Sequence, residues 1–256
     1  MTYYAVFPIV LGLFLAMVVC LELGFRIARH RARGDGSAHE GLGSMEAAVF
    51  ALLGLLLGFA FSNALGRFDA RRGLIVQEAN AISTAYLRLD LAPAEDQAAL
   101  RTLFREYLDG RLKVYATPQD EAATAQSIKE AEALQQRVWN AVIDSSSRDP
   151  GQNVVRVLVP AINQMIDITT VRTLALYTKI PTAILALLHL VALSSAMIAG
   201  YAMAKRGRRS ILHVILYAAS VAMTIYVVLD LEHPRRGLIR LDVADQLLED
   251  LRESIR

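Results

Sequence analysis

Four stretches of the chain are apolar for long enough to cross a bilayer, and much of the rest spaces its apolar positions as helices do. Tyr3 to Leu21, Met45 to Gly66, Ile180 to Met203 and Ile211 to Leu229 each offer about 20 mostly apolar residues, enough to span roughly 30 Å of hydrocarbon. The second stretch passes without a Gly-Pro break into RFDARRGLIVQEANAISTAYLRLDL and stops at Pro93. This predicts one long helix from Met45 to Leu91, its first half in lipid and its second half in water. At about 1.5 Å per residue it would be roughly 70 Å long. The other helices must pack against that rod or continue from it.

Between the second and third apolar stretches the periodicity turns amphipathic. Pro93 opens a helix with Glu95 and Asp96 in its first turn, where acidic groups complement the positive helix end. Leu100, Leu103, Phe104, Leu108 and Leu112 continue it at helical spacing. Thr117-Pro118 reads as an N-cap with proline at the first helical position, starting a helix through Ile128, Leu134, Val138, Trp139 and Val142 that stops at SSSRDPG. From Gln152 a further helix carries Val154, Leu158, Ile162 and Met165 toward the third span, with Pro160 as a kink. The tail ends in a short amphipathic helix, Val243 to Ile255. No internal repeat and no clean strand alternation is evident. The expected class is an all-α polytopic membrane protein with four transmembrane helices and a helical extramembrane domain. Its parts are 1–66 (spans one and two), 67–172 (extramembrane helices), 173–231 (spans three and four) and 232–256 (the tail).

Composition agrees with a membrane class. Of 256 residues, 54% are hydrophobic and mean hydropathy is +0.36. The formal net charge of +2 and the lack of a gathered basic face argue against a nucleic-acid partner. Cys20 is the single cysteine, which excludes an intrachain disulfide. No basic residue precedes the first apolar run and no small-x-small cleavage site follows it, so we expect an uncleaved anchor.

Charge also bears on orientation. Arg26, Arg29, Arg31 and Arg33 fill the first turn between spans, where Gly34, Gly36, Gly41 and Gly43 provide flexibility. Lys205, Arg206, Arg208 and Arg209 fill the turn between spans three and four. The positive-inside rule puts both turns in the cytoplasm and residues 67–172, with 13 basic and 14 acidic side chains, outside. Arg67, Arg71 and Arg72 after the second span, with Arg235, Arg236 and Arg240 after the fourth, argue for the inverse.

Catalytic signatures are missing: there is no phosphate loop, nucleophile elbow or zinc-hydrolase helix motif, so we expect no enzyme. His189 and His213 stand singly in spans, without ligand spacing. Asp230, Glu232 and His233 are explained by turn formation and helix termination. No cofactor or metal is expected.

The stretch Leu57-Gly58-Phe59-Ala60-Phe61-Ser62-Asn63 through Arg72 resembles the end of the second spanning helix of bacterial bestrophins. The chain is also similar over nearly its whole length to the bacterial bestrophin-like membrane family. That similarity rests on SNALGRFDARRGLIVQEANAISTAYLRLDL, on Pro160-Ala161-Ile162-Asn163, and on Leu229-Asp230-Leu231-Glu232-His233-Pro234 with Gly237-Leu238-Ile239-Arg240. The resemblance implies a multi-pass protein of a bacterial inner membrane, bounded by membrane lipid. It also implies a homo-oligomer, with a pentamer favoured, whose second helix lines a pore for an inorganic ion, with an anion favoured. Unlike the charge count, it implies a cytoplasmic extramembrane domain. Carried onto this chain, Leu53, Leu57 and Phe61 become the pore neck, at i, i+4 and i+8 on one helix face. Ser62, Asn63, Arg67, Arg71 and Arg72 become the pore mouth, with neutral donors and a ring of positive potential. Gly54 and Gly58 form a small-xxx-small pair for close helix packing. The alternative reading is a non-conducting scaffold or sensor whose helical domain binds a ligand or partner.

Overall fold

The computed structural model describes residues 6–31, 42–116, 120–205, 210–234 and 237–255. Among these residues eight α-helices follow one another: α1 Val6–Arg31, α2 Leu42–Leu87, α3 Ala94–Ala116, α4 Glu121–Ser146, α5 Val159–Tyr177, α6 Thr182–Lys205, α7 Ile211–Leu231 and α8 Asp242–Ser254. No strand occurs among the described residues. The long helix is real and slightly shorter than predicted, because Arg88–Leu91 tightens into a 3₁₀ turn ahead of Pro93.

Contacts divide the chain into two compact units. The first comprises Met1–Phe68 and Lys179–Ile239, the second Asp69–Thr178 and Arg240–Arg256.

The first unit holds α1, the apolar half of α2, α6 and α7. It supplies the helices long and apolar enough to cross a membrane. Its core forms where α1 crosses α6 and α7, through Leu13, Met17, Leu21, Ala192, Ala196, Ala218 and Ile225. At that crossing a Cβ on Gly24 would lie 2.0 Å from the Met197 carbonyl oxygen, and one on Gly200 would lie 1.9 Å from that of Leu21. With Ala192 and Ala196, Gly200 completes a small-residue ridge at spacing four, the device that lets spanning helices approach when lipid gives no hydrophobic drive. The sequence reading looked for this device at Gly54 and Gly58, where an added Cβ would meet nothing of the same chain within 4 Å.

The second unit packs the polar half of α2 with α3, α4, α5 and α8. Buried Ile75, Ile82, Leu100, Phe104, Leu108, Val138, Val142, Leu158 and Ile162 form its apolar interior. Gly110 on α3 admits Leu134 of α4, whose Cδ1 would lie 2.7 Å from an added Cβ. Two sequence expectations change here. The cap of α4 is Asp120, whose carboxylate accepts from the Ala123 N–H at 2.9 Å. The expected cap, Thr117-Pro118, lies outside the described residues, as do Arg33, Gly34, Gly36, Gly41, Arg206, Arg208, Arg209, Arg235 and Arg236. Pro160 also does more than kink a helix. The backbone over Val154–Leu158 is a π-turn, and Pro160 stands at the start of α5. Proline lacks the N–H that would continue the α ladder, and the wider turn absorbs the break.

Candidate functional site

In the first unit, the inward line of α2 is set by Leu53, Ala60 and Ala64, all buried. The expected neck residues therefore do not share one open face. Leu53 is 4% exposed and sits in the core with α1 and α6, and Leu57 packs partly against the same interior. Phe61 is exposed. The physical reason is angular drift: at 3.6 residues per turn, each step of four rotates about 40°, so a stripe starting at buried Leu53 has moved outward by Phe61. Opposite the buried line stand Leu55 at 55% exposure, Phe59 at 59%, and Ser62.

The expected mouth residues separate likewise. Ser62 and Asn63 are exposed, and the Asn63 side-chain amide donates back to the Phe59 carbonyl at 3.0 Å. Arg67 turns inward, its Nε donating to Glu232 Oε1 at 2.7 Å. Arg72 is exposed, and so is Asp69. In the second unit, Arg71 is buried and donates to the carbonyls of Ala175 and Thr178, the last turn of α5. It serves as a helix C-cap, where a cation meets the negative helix end.

The acidic turn after α7 does structural work. The Asp230 carboxylate accepts from the N–H groups of Leu238 and Ile239 at 2.9 to 3.1 Å, and a Cβ on Gly237 would lie 2.5 Å from it. His233 Nδ1 lies 2.9 Å from the Leu229 carbonyl oxygen. Of the single histidines, His213 pairs with the α7 cap Ser210 at 2.6 Å and His189 with the Leu185 carbonyl at 2.7 Å.

Among the described residues, a buried polar cluster lies within the second unit, and its three charges were not singled out from the sequence. Glu78 of α2 is fully buried and receives two guanidinium groups: Arg111 Nε at 2.6 Å, and Arg172, in closer contact. Arg111 also donates to the Tyr115 hydroxyl at 2.8 Å, and Arg172 lies 4.0 Å over the Tyr115 ring. Tyr107 and Thr169 share a hydrogen bond of 3.1 Å beside them. The Thr169 hydroxyl donates to the Met165 carbonyl, so Tyr107 is the donor. Burial alone would push Glu78 up; Arg111 and Arg172 overcome it and hold the carboxyl below its ordinary 4.5. Burial likewise opposes the Arg111 charge, and Tyr115 and Glu78 more than offset it. Burial pushes Tyr107 up to about 12. Stripping water from such ions costs several kcal/mol each, roughly, so the arrangement persists because every charge is met. A signal was available: Glu78, Arg111 and Arg172 each occupy an apolar-stripe position, between Ile75 and Ile82, Leu108 and Val114, and after Ile162, Met165 and Thr169.

Four apolar helical spans and a helical polar unit define a multi-pass α-helical membrane protein. The sequence matches the Bestrophin-like domain family over residues 11–245, and the chain belongs to that family. No curated protein matches it. Among solved structures, it resembles a bacterial bestrophin homologue from Klebsiella pneumoniae carrying a single substitution. That match has 13% identity and a TM-score of 0.66, covering 95% of this chain and 99% of the other. A second single-substitution variant of that homologue matches with a TM-score of 0.68 at 13% identity, over 97% and 98% of the two chains. The likeness establishes the fold, and family membership supports an ion-channel type of function in general terms.

Proposed function

We propose that this chain assembles as a homo-oligomer, a pentamer by analogy with bestrophins, in a bacterial inner membrane, and that α2 lines a pore for small inorganic ions. The observation carrying this reading is the face of α2 that its own chain leaves uncovered. Leu55, Phe59 and Ser62 stand at i, i+4 and i+7 opposite the buried line, beside Gly54 and Gly58, where an added Cβ would meet nothing within 4 Å. A helix built this way can offer apolar rings to a central axis and glycine to its neighbours. The neck accordingly shifts by about half a turn, from Leu53 and Leu57 to Leu55 and Phe59, with Phe61 at its flank and Ser62 at its mouth.

Anion preference was expected from three arginines. Arg67 faces Glu232 and Arg71 caps α5, so the preference rests on Arg72 and is opposed by exposed Asp69. The test is ion flux through purified protein in liposomes, with Leu55→Ala/Phe59→Ala beside Leu53→Ala/Leu57→Ala and empty vesicles. The first pair should raise conductance or change selectivity with assembly intact, and the second should lower stability without moving selectivity. Asp69→Asn should shift permeability toward anions, and Arg72→Gln toward cations. Absence of flux from assembled protein across several ions would move the reading to a non-conducting scaffold or sensor.

A further inference from the structure

Beside the buried ion cluster, the second unit holds a cavity of about 410 Å³, lined by residues of α3, α4 and α5. That volume lies in the range of small-molecule sites, roughly 300–1,000 Å³. Its polar groups are disposed unevenly. Arg111, 1% exposed, forms the floor. Its Nε is committed to Glu78 and its Nη2 to Tyr115, whereas its Nη1 has no hydrogen-bond partner among the described residues. A guanidinium presents its donors as a planar fork suited to a carboxylate, and Arg111 is among the residues that line the cavity. The threonine hydroxyls of the wall are not equivalent. Those of Thr169 and Thr170 donate to carbonyls of their own helix, so they can only accept, while Thr173 and the amide of Gln135 have no such bond and can donate. Glu132 lines the same cavity from an exposed position on α4, with no ion pair among the described residues. Ile128, Leu174 and Tyr177 make the remaining wall apolar.

We propose that this cavity binds a free amino acid. Its carboxylate sits on Arg111 Nη1 with Thr173 and Gln135, its ammonium meets Glu132 at the rim, and its apolar side chain lies against Ile128, Leu174 and Tyr177. A simple carboxylate would leave Glu132 facing an anion, and a simple amine would meet the Arg111 cation at the floor. A zwitterion satisfies both ends. The site lies wholly within the second unit and is independent of the pore proposal.

The test is calorimetric titration of the full chain in detergent with L-leucine, 4-methylpentanoate and 3-methylbutylamine, which share one apolar body and differ in charged groups. Leucine should bind saturably, and the acid and the amine at least about tenfold more weakly. Glu132→Gln should weaken leucine by about tenfold and leave the acid unchanged, whereas Thr173→Val should weaken leucine and acid together. Arg111→Lys should do the same more severely; Thr173→Val covers the case in which that variant fails to fold. No saturable binding by any of the three probes overturns the proposal. So does leucine binding that matches the acid and ignores Glu132→Gln, or that ignores Thr173→Val.

Discussion

Glu78 shows how much one side chain can determine in this molecule. Two arginines from different helices converge on it inside the second unit, so removing its charge strands both. Breaking a buried pair from one side costs about 3–5 kcal/mol. Glu78→Gln should therefore lower the melting temperature of the detergent-solubilised protein well beyond any exposed Glu→Gln change, measured by near-UV circular dichroism. Acid should act on the same group. Its folded-state pKa lies below its unfolded value of about 4.5, so its stabilisation is complete above that value and is lost as pH falls through the folded one. The wild-type protein should melt progressively earlier below about pH 4.5, and Glu78→Gln should show less of this slope. These three ions were visible in the sequence as charges interrupting apolar stripes. Their convergence was not visible, because helical spacing assigns each residue to a face of its own helix and says nothing of which faces meet.

At the scale of the element, glycines separate helix contacts made within the chain from surfaces the chain leaves open. Gly200→Ala would drive a methyl into the Leu21 carbonyl, a backbone atom that cannot rotate away, so we expect a loss above the ordinary overpacking cost of about 1–3 kcal/mol. Gly24→Ala should behave alike against Met197. Gly54→Ala and Gly58→Ala should leave the protomer's melting temperature unchanged and weaken the oligomer, read as a shift to smaller species by light scattering. An oligomer of undiminished size would remove these glycines from any contact between copies. Small-xxx-small spacing occurs in both α2 and α6, and spacing alone does not tell which is used internally. Helix ends were less legible than helix bodies. Asp120 caps α4, its carboxylate accepting directly from the Ala123 N–H, and nothing local announced the π-turn before Pro160 except the proline itself.

For the molecule as a whole, the four spans were legible because hydropathy over about 20 residues is a bulk property that no single contact can override. Orientation is a separate question, argued from the charges that flank the spans. Arg67 and Arg71, two of the six arginines that argue for a cytoplasmic second unit, make inward contacts in the fold, and on the charge of the two turns between spans we propose that this unit lies outside. With Cys20→Ser as background, a thiol introduced by Ser147→Cys on the exposed end of α4 should be labelled by a membrane-impermeant maleimide added from the periplasmic side. Protection there, with labelling after lysis, would establish the bestrophin arrangement instead.

The division of the chain carries a further consequence. The backbone leaves the first unit after Phe68, returns at Lys179 and leaves again after Ile239, so α8 joins the second unit only after the fourth span has been made. Arg252 of α8 then closes on Asp109 of α3, at 2.5 Å, across 143 positions of sequence. During synthesis, the polar helices must therefore wait for their final member until the ribosome has delivered all four spans to the insertion machinery. Neither half can be excised as a continuous fragment and remain whole, because each unit is built from two separated stretches of the chain.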